Sequence, residues 1–205
     1  MKRKHCKLAT GLLVCLLLVL GITVGGTLAH VFTKTHTVEN TFTPAQISCA
    51  VVETFENNVK ENVRVRNTGD ATAYIRAEVV VTWKYKDADG IDHVYAQVPM
   101  EQSDYTIRYA QDGLWAEAED GFWYYRYPVA CEEDAATAEE TLTSVLIERV
   151  EQLDGANVPD GYALSVEIVA SAIQAYPSEA VEKNWDVTID KAGMIEVSTA
   201  GGDDV

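Results

Sequence analysis

Basic side chains are scarce beyond the first seven residues. The 205-residue chain has 16 Lys and Arg against 32 Asp and Glu, and Lys2, Arg3, Lys4 and Lys7 are among the 16. The other 12 basic residues face all 32 acidic ones, so the rest of the chain carries a charge of about −20. Because phosphate binding needs a basic face, this balance argues against nucleic acid as a partner.

Catalytic and nucleotide-binding motifs are missing as well. The sequence contains no HExxH pair, GxSxG elbow, Walker loop or GxGxxG. The four histidines, His5, His30, His36 and His93, are scattered. We therefore predict a protein that is not an enzyme, with no catalytic residue, no metal site and no cofactor.

Three acidic features have a simpler interpretation than chemistry. Asp87, Asp89 and Asp92 surround Gly90 like part of a calcium loop, but the third ligand before the glycine and the closing glutamate are missing, so an acidic hairpin turn is favoured. The acidic residues at 132–134 and 139–140 lie in a polar stretch without an apolar wall, which indicates a solvated face.

Aromatic residues are concentrated between positions 115 and 127. Strands of this composition usually supply core packing, and a sugar-binding surface is the alternative. The residues are Trp115, Phe122, Trp123, Tyr124, Tyr125 and Tyr127.

Cysteine is rare and never spaced as CxxC, which excludes a zinc ribbon or a thioredoxin-like site. Cys6 and Cys15 lie within the first 29 residues, which have the pattern of an export signal, and this leaves Cys49 and Cys131. In an oxidising compartment these two either form one disulfide or stay as separate buried thiols.

The N-terminal 29 residues have the pattern of an export signal. A basic start is followed by an uncharged stretch from Leu8 to Ala29, and Thr27 and Ala29 supply the small residues that a signal peptidase accepts. Cleavage after Ala29 would make His30 the first mature residue. Since roughly 20 apolar residues can span a bilayer, a retained membrane anchor is the alternative.

Alternation of apolar and polar residues predicts strands throughout the mature chain. In residues 73–85, Ile75, Ala77, Val79, Val81 and Trp83 share one face, and the opposite face is polar enough to meet solvent. Thr68-Gly69-Asp70 is a predicted turn in which Gly69 takes a positive φ. The predicted strands are 46–55, 62–67, 73–85, 91–98, 121–127, 141–150 and 162–175.

Helical signals are few. Residues 177–185 read as a helix with Ser178 as N-cap, and 135–140 as a helical turn. Many strands with little helix predict an all-β fold, an antiparallel β-sandwich with one short helix. We expect a signal or transmembrane helix at 1–29, an N-terminal extension at 30–41, the sandwich at 42–197 and a disordered tail at 198–205.

Four short stretches together resemble the TasA/camelysin family of Gram-positive bacteria, which is exported through the signal peptidase SipW. Gly25-Gly26-Thr27-Leu28-Ala29 with Phe32 and Thr33 resembles the family's signal end, and residues 64–76 resemble its strand–Asn-x-Gly–strand hairpin. Residues 120–125 and 169–175 are similar to segments of clostridial members.

The resemblance implies a jelly-roll sandwich, secretion and assembly into biofilm matrix fibres. It also implies donor-strand exchange, in which a freed N-terminal segment completes the next subunit's sheet. The candidate donor strand, with Val31, Phe32, Thr33 and Val38, is rich in Thr and Val. A flexible linker is the alternative for this segment.

The expected partners are a SipW-type signal peptidase and further copies or other matrix proteins. Two other functions remain as alternatives: a camelysin-like surface metallopeptidase, and a membrane-anchored domain that binds glycans through the aromatic cluster.

Overall fold

The longest alternating runs form the longest strands. In the computed structural model, which describes residues 45–56 and 59–198, strand β3 (Ala73–Lys86) pairs antiparallel with β9 (Ala163–Gln174). Their register runs without a break from Ala73 opposite Gln174 to Lys84 opposite Ala163. Because this pairing is long and uninterrupted, the two strands form the central part of one sheet.

The remaining elements are shorter. They are β1 (Cys49–Glu56), β2 (Val59–Asn67), β4 (Asp92–Val94), β5 (Tyr105–Tyr109), β6 (Trp115–Glu117), β7 (Trp123–Tyr125), a 3₁₀ helix (Ala138–Thr141), β8 (Ile147–Gln152), α1 (Ser178–Trp185), β10 (Thr188–Ile189) and β11 (Ile195–Glu196).

Within the described residues, the strands form two main sheets and one small hairpin, and every strand pair is antiparallel. The first sheet has the order β1-β2-β8-β5. In the second, β9 pairs with one side of β3, β4 and β7 pair with the other side, and β6 follows β7. Strands β10 and β11 form the hairpin. The predicted all-β, antiparallel architecture with one short helix is thereby confirmed.

The two main sheets enclose a shared core. Val63, Val65 and Ile147 from the first sheet pack with Ile75 and Ala77 from the second, and all five are fully buried. The predicted apolar face of residues 73–85 therefore faces the core. Burial of each valine or isoleucine side chain contributes about 1.5–3 kcal/mol.

The alternation predicted that the opposite face of β3 meets solvent, but this prediction is wrong for part of that face. At the start of the strand, Tyr74 is only 3% exposed because α1 and the β10–β11 hairpin cover it. The second core cluster consists of Tyr74, Tyr124, Ala175, Val181, Trp185 and Ile195.

Several predicted boundaries are wrong. Only Asp92–Val94 of the predicted strand 91–98 pairs as a strand, and strand pairing in 141–150 begins at Ile147. Pro177, not Ser178, is the N-cap of α1, and it has no side-chain cap. Strands β5, β6, β10 and β11 were not predicted: β6, β10 and β11 have only two or three residues, and the alternation of β5 extends over only five.

Gly69 is required for a different reason from the one predicted. Its φ is not positive, but a Cβ added to it would lie 2.4 Å from the carbonyl oxygen of Gln46. The turn is fastened to the start of β1, since Asp70 N donates to Gln46 O and Thr68 N to Ser48 O, both at 3.0 Å. Close approach of two backbones thus excludes a side chain.

The predictions for the N terminus fall on residues that the structure does not describe. The signal (1–29) and the extension (30–41) lie outside the described residues, as do 199–205 of the tail. Among the helices of the described part, none has the length and apolarity to cross a bilayer.

Candidate functional site

Two edge strands lie side by side, one from each main sheet. Within the described residues, β1 pairs only with β2, and β9 only with β3. Residues of β1 and β9 contact each other across the gap between the sheets. This side of the fold therefore presents two rows of outward backbone groups that are available for further pairing.

A cleft opens between these edges, with a volume of about 280 Å³. Phe55 of β1 stands on one wall and is 63% exposed, while Leu164 and Val166 of β9 form the other wall. Val150 of β8 belongs to the core and closes the floor. The cleft is thus an extension of the apolar core to the surface.

The charged residues of the cleft are already paired. Lys60 Nζ donates to both carboxylate oxygens of Glu53 at 2.8 Å, and Glu167 pairs with Lys84. Glu53 lies where the register of β1 shifts between Val52 and Thr54. Such a bulge redirects a side chain and interrupts an edge strand locally.

The cleft between β1 and β9 is better suited to binding an added strand than to catalysing a reaction. An added strand can satisfy edge N–H and C=O groups and bury alternate side chains against Phe55, Leu164 and Val166. The sequence placed these residues in strands, but it carried no signal that β1 and β9 meet as neighbouring edges.

Cys49 and Cys131, the two cysteines that the structure describes, are both free thiols. Cys49 is half-buried against the core, and burial raises the pKa of its thiol. Cys131 is 1% exposed and its Sγ donates to Asp134 Oδ2 at 3.2 Å. The other predicted site residues, Thr27, Ala29, His30, Val31, Phe32, Thr33 and Val38, lie outside the described residues.

The acidic sequence features fold as expected. Asp87 closes the β3–β4 turn: it bonds His93 Nε2 at 2.8 Å and accepts the backbone N–H groups of Asp89 and Ile91. These hydrogen bonds, with that from His93 the largest cause, lower the pKa of Asp87. The acidic residues at 132–134 and 139–140 are exposed. In the part that the structure describes, no three His, Cys, Asp or Glu residues gather as metal ligands.

The aromatic cluster serves mainly as core, as favoured. Trp123 stacks on Tyr109 with ring centroids 4.3 Å apart, and Trp115 is 7% exposed. Tyr124 is fully buried and donates through its hydroxyl to Asp120. The guanidinium of Arg76 lies 4.1 Å from the ring centroid of Phe122, within cation–π distance.

The sequence pattern thus predicted which aromatic residues pack in the core, but it did not predict the cleft.

Comparisons of the chain with family models, with curated proteins and with solved structures found no match. The resemblance to the TasA/camelysin family accordingly stays a prediction that rests on the four stretches quoted above.

Proposed function

We propose that this chain is a secreted, non-catalytic structural protein of the biofilm matrix or cell surface. Copies join by donor-strand exchange, with residues 30–38 of one copy lying in the cleft between β1 and β9 of the next. A jelly-roll arrangement of the two sheets belongs to the same proposal. The observation that carries it is the cleft with apolar walls between two edge strands, each of which pairs on one side only within the described residues.

The proposed donor matches the cleft in chemistry. Residues 30–38 contain Val31, Phe32 and Val38 together with three threonines, a composition that favours extended backbone. The segment carries Lys34 and no acidic residue, whereas the rest of the chain is strongly acidic. A donor of this charge adds no like-charge repulsion when it approaches the acidic subunit that accepts it.

The proposed donor also matches the cleft in length. Nine extended residues span about 30 Å at about 3.3 Å per residue. Strand β9 has 12 residues, so its edge is long enough to accept the whole segment. Cleavage after Ala29 by a SipW-type peptidase would free the donor only after export, which keeps assembly outside the cell.

Electron microscopy of two purified chains tests the proposal. We expect filaments from a chain that begins at His30 and none from a chain that lacks residues 30–38. Equal filament formation by both chains would falsify strand donation by this segment.

A substitution in the cleft tests the acceptor side. Phe55→Asp places a charge on the apolar wall at a residue that is 63% exposed, so the fold is retained and filaments are lost. Tyr176→Asp is the matched control, because Tyr176 is 67% exposed and does not line the cleft. Filaments from both variants would remove the cleft as acceptor.

A further inference from the structure

Exposed apolar side chains concentrate at one end of the fold, far from the start of β1. This apolar end is formed by the β3–β4 hairpin, the segment 95–104 and the loop 153–162. Twelve large hydrophobic residues are exposed in the described part of the chain, and seven of them are here: Tyr85, Ile91, Val94, Tyr95, Val98, Met100 and Val158. An exposed patch of this kind marks an interaction site more often than a scattered surface residue does.

A cavity of about 300 Å³ opens within the apolar end. Trp83, Tyr95 and Met100 supply apolar walls, and polar atoms come from Gln97, Ser103, Asp104 and Asn157. A concave apolar site with a few polar groups is the usual form of a binding pocket. It is separate from the cleft between β1 and β9, with which it shares no lining residue.

Asp104 builds the cavity by joining its two loops. The residue is 6% exposed; Oδ2 accepts the Met100 N–H at 2.8 Å, and Oδ1 accepts the Asn157 N–H at 2.9 Å. These two hydrogen bonds lower the pKa of the carboxyl group, so it is charged at neutral pH. A carboxylate offers about four acceptor positions, which leaves capacity for a ligand.

The charge of the apolar end is strongly negative. Residues 86–104 and 153–162 include seven acidic residues and one lysine, Lys86, which pairs with Asp92 at 3.4 Å. The acidic residues are Asp87, Asp89, Asp92, Glu101, Asp104, Asp154 and Asp160. This field repels nucleic acids, anionic lipids and acidic polysaccharides, and it attracts cations.

Neighbouring tyrosines hold the mouth of the cavity in place. Tyr95 packs edge-on against Tyr162 with centroids 5.2 Å apart, and Tyr85 packs against the same ring at 5.9 Å. Tyr95 N donates to Trp83 O at 3.0 Å, which ties the segment to β3. The aromatic wall is therefore anchored on both sides.

We propose that the apolar end binds an apolar polypeptide segment that carries a lysine or arginine. The cationic side chain enters the cavity beside Trp83, Tyr95 and Asp104, and the flanking apolar residues of the partner pack on Val94, Val98 and Met100. Aromatic rings and a carboxylate both stabilise an organic cation, which explains why the two occur together here. This inference does not depend on the proposed strand exchange.

Fluorescence anisotropy with labelled peptides tests the inference on the full chain in detergent micelles. The probe is a capped peptide of alternating proline and valine with one central lysine, whose prolines lack the N–H groups needed to pair with a strand edge, compared with peptides in which norleucine or glutamate replaces that lysine. We expect the lysine peptide to bind at least about tenfold more tightly than the norleucine peptide, an advantage that shrinks as salt is added. Equal affinity for the two would overturn the cation site.

Two lysine substitutions at exposed hydrophobic residues locate the binding surface. Val98→Lys is expected to weaken binding of the lysine peptide by about tenfold, since like charge then faces like charge. Tyr176→Lys is the matched control, because Val98 and Tyr176 are 62% and 67% exposed and Tyr176 lies neither at the apolar end nor in the cleft between β1 and β9. Equal losses in both variants, or displacement of the peptide by chitohexaose, would contradict the assignment.

Discussion

Two residues show how a single atom position fixes local structure. Gly69 leaves room for the carbonyl of Gln46, and Asp104 holds two loops with its two carboxylate oxygens. Neither effect follows from residue type alone. Each depends on which backbone the fold brings near.

Gly69→Ala is expected to lower the free energy of unfolding by about 1–3 kcal/mol, because the added methyl group overlaps backbone atoms that cannot move freely. Urea unfolding followed by circular dichroism measures the loss. Gly155→Ala is the control: nothing lies within 4 Å of its added Cβ, so we expect a change within about 0.5 kcal/mol. Equal effects at the two sites would refute the close-approach explanation.

Asp104→Asn is expected to destabilise the fold at neutral pH, with an effect that fades in acid. The folded-state pKa of Asp104 is lowered, so its contribution is complete above the unfolded value of about 3.9 and is lost as pH falls through the folded value. Urea unfolding at pH 7, 5 and 3 measures the difference from the parent chain. Asp160→Asn, at an exposed residue, should match the parent at pH 7, and a constant deficit for Asp104→Asn at all three pH values would contradict the prediction.

At the scale of elements, the short helix α1 stabilises one end of β3. Its buried residues Val181 and Trp185 cover Tyr74 and Tyr124, and the Arg76 guanidinium lies 5.0 Å from the Trp185 ring centroid. Since an isolated eight-residue helix is marginal in water, this packing is what keeps it formed.

Trp185→Ala should therefore cost about 3–5 kcal/mol, through lost burial and the cavity left behind. Hydrogen exchange should show faster exchange of amides in α1 and the β10–β11 hairpin than in β9. Lys183→Ala, on the exposed side of the same helix, is expected to leave stability unchanged. If both substitutions had the same effect, α1 would not be a cover for the second core.

The sequence predicts the elements that have a long, regular pattern. Strands β3 and β9 were placed within a few residues because their apolar and polar residues alternate over a long run. Helix α1 was placed from the helix-forming residues that follow Ser178. Only Asp92–Val94 of the predicted strand 91–98 pairs, because Ile91 and Val98 remain exposed and gain no burial from a longer strand. The cleft and the apolar end combine residues far apart in the chain, and single-chain periodicity carries no information about such neighbours.

For the whole molecule, the dominant electrostatic quantity is the formal net charge of −16. The described residues also hold seven ion pairs of Lys or Arg with carboxylates, all at least partly exposed. Salt weakens both the repulsion and the pairs, but exposed pairs contribute only about 0–1 kcal/mol each.

Screening of the repulsion between acidic residues is therefore expected to outweigh the weakening of the ion pairs. The melting temperature should rise as sodium chloride is increased from about 20 mM to about 300 mM. Differential scanning calorimetry measures the shift. Glycerol-free buffer with sucrose at matched osmolality serves as the control for effects unrelated to ionic strength. A melting temperature that falls with salt would mean that the ion pairs outweigh the net charge.

The fastening between the start of β1 and the turn at Gly69 has a mechanical consequence. Gln46 and Ser48 are joined to residues 68–70 by three hydrogen bonds that backbone N–H groups donate. A fourth hydrogen bond links the hydroxyl groups of Ser48 and Thr68 at 2.9 Å. A pulling force applied through the residues before Gln46 would load these hydrogen bonds before it loads the buried valines of the core. In a fibre of such subunits, extension would therefore begin with the rupture of these hydrogen bonds, and the core of each subunit would stay folded.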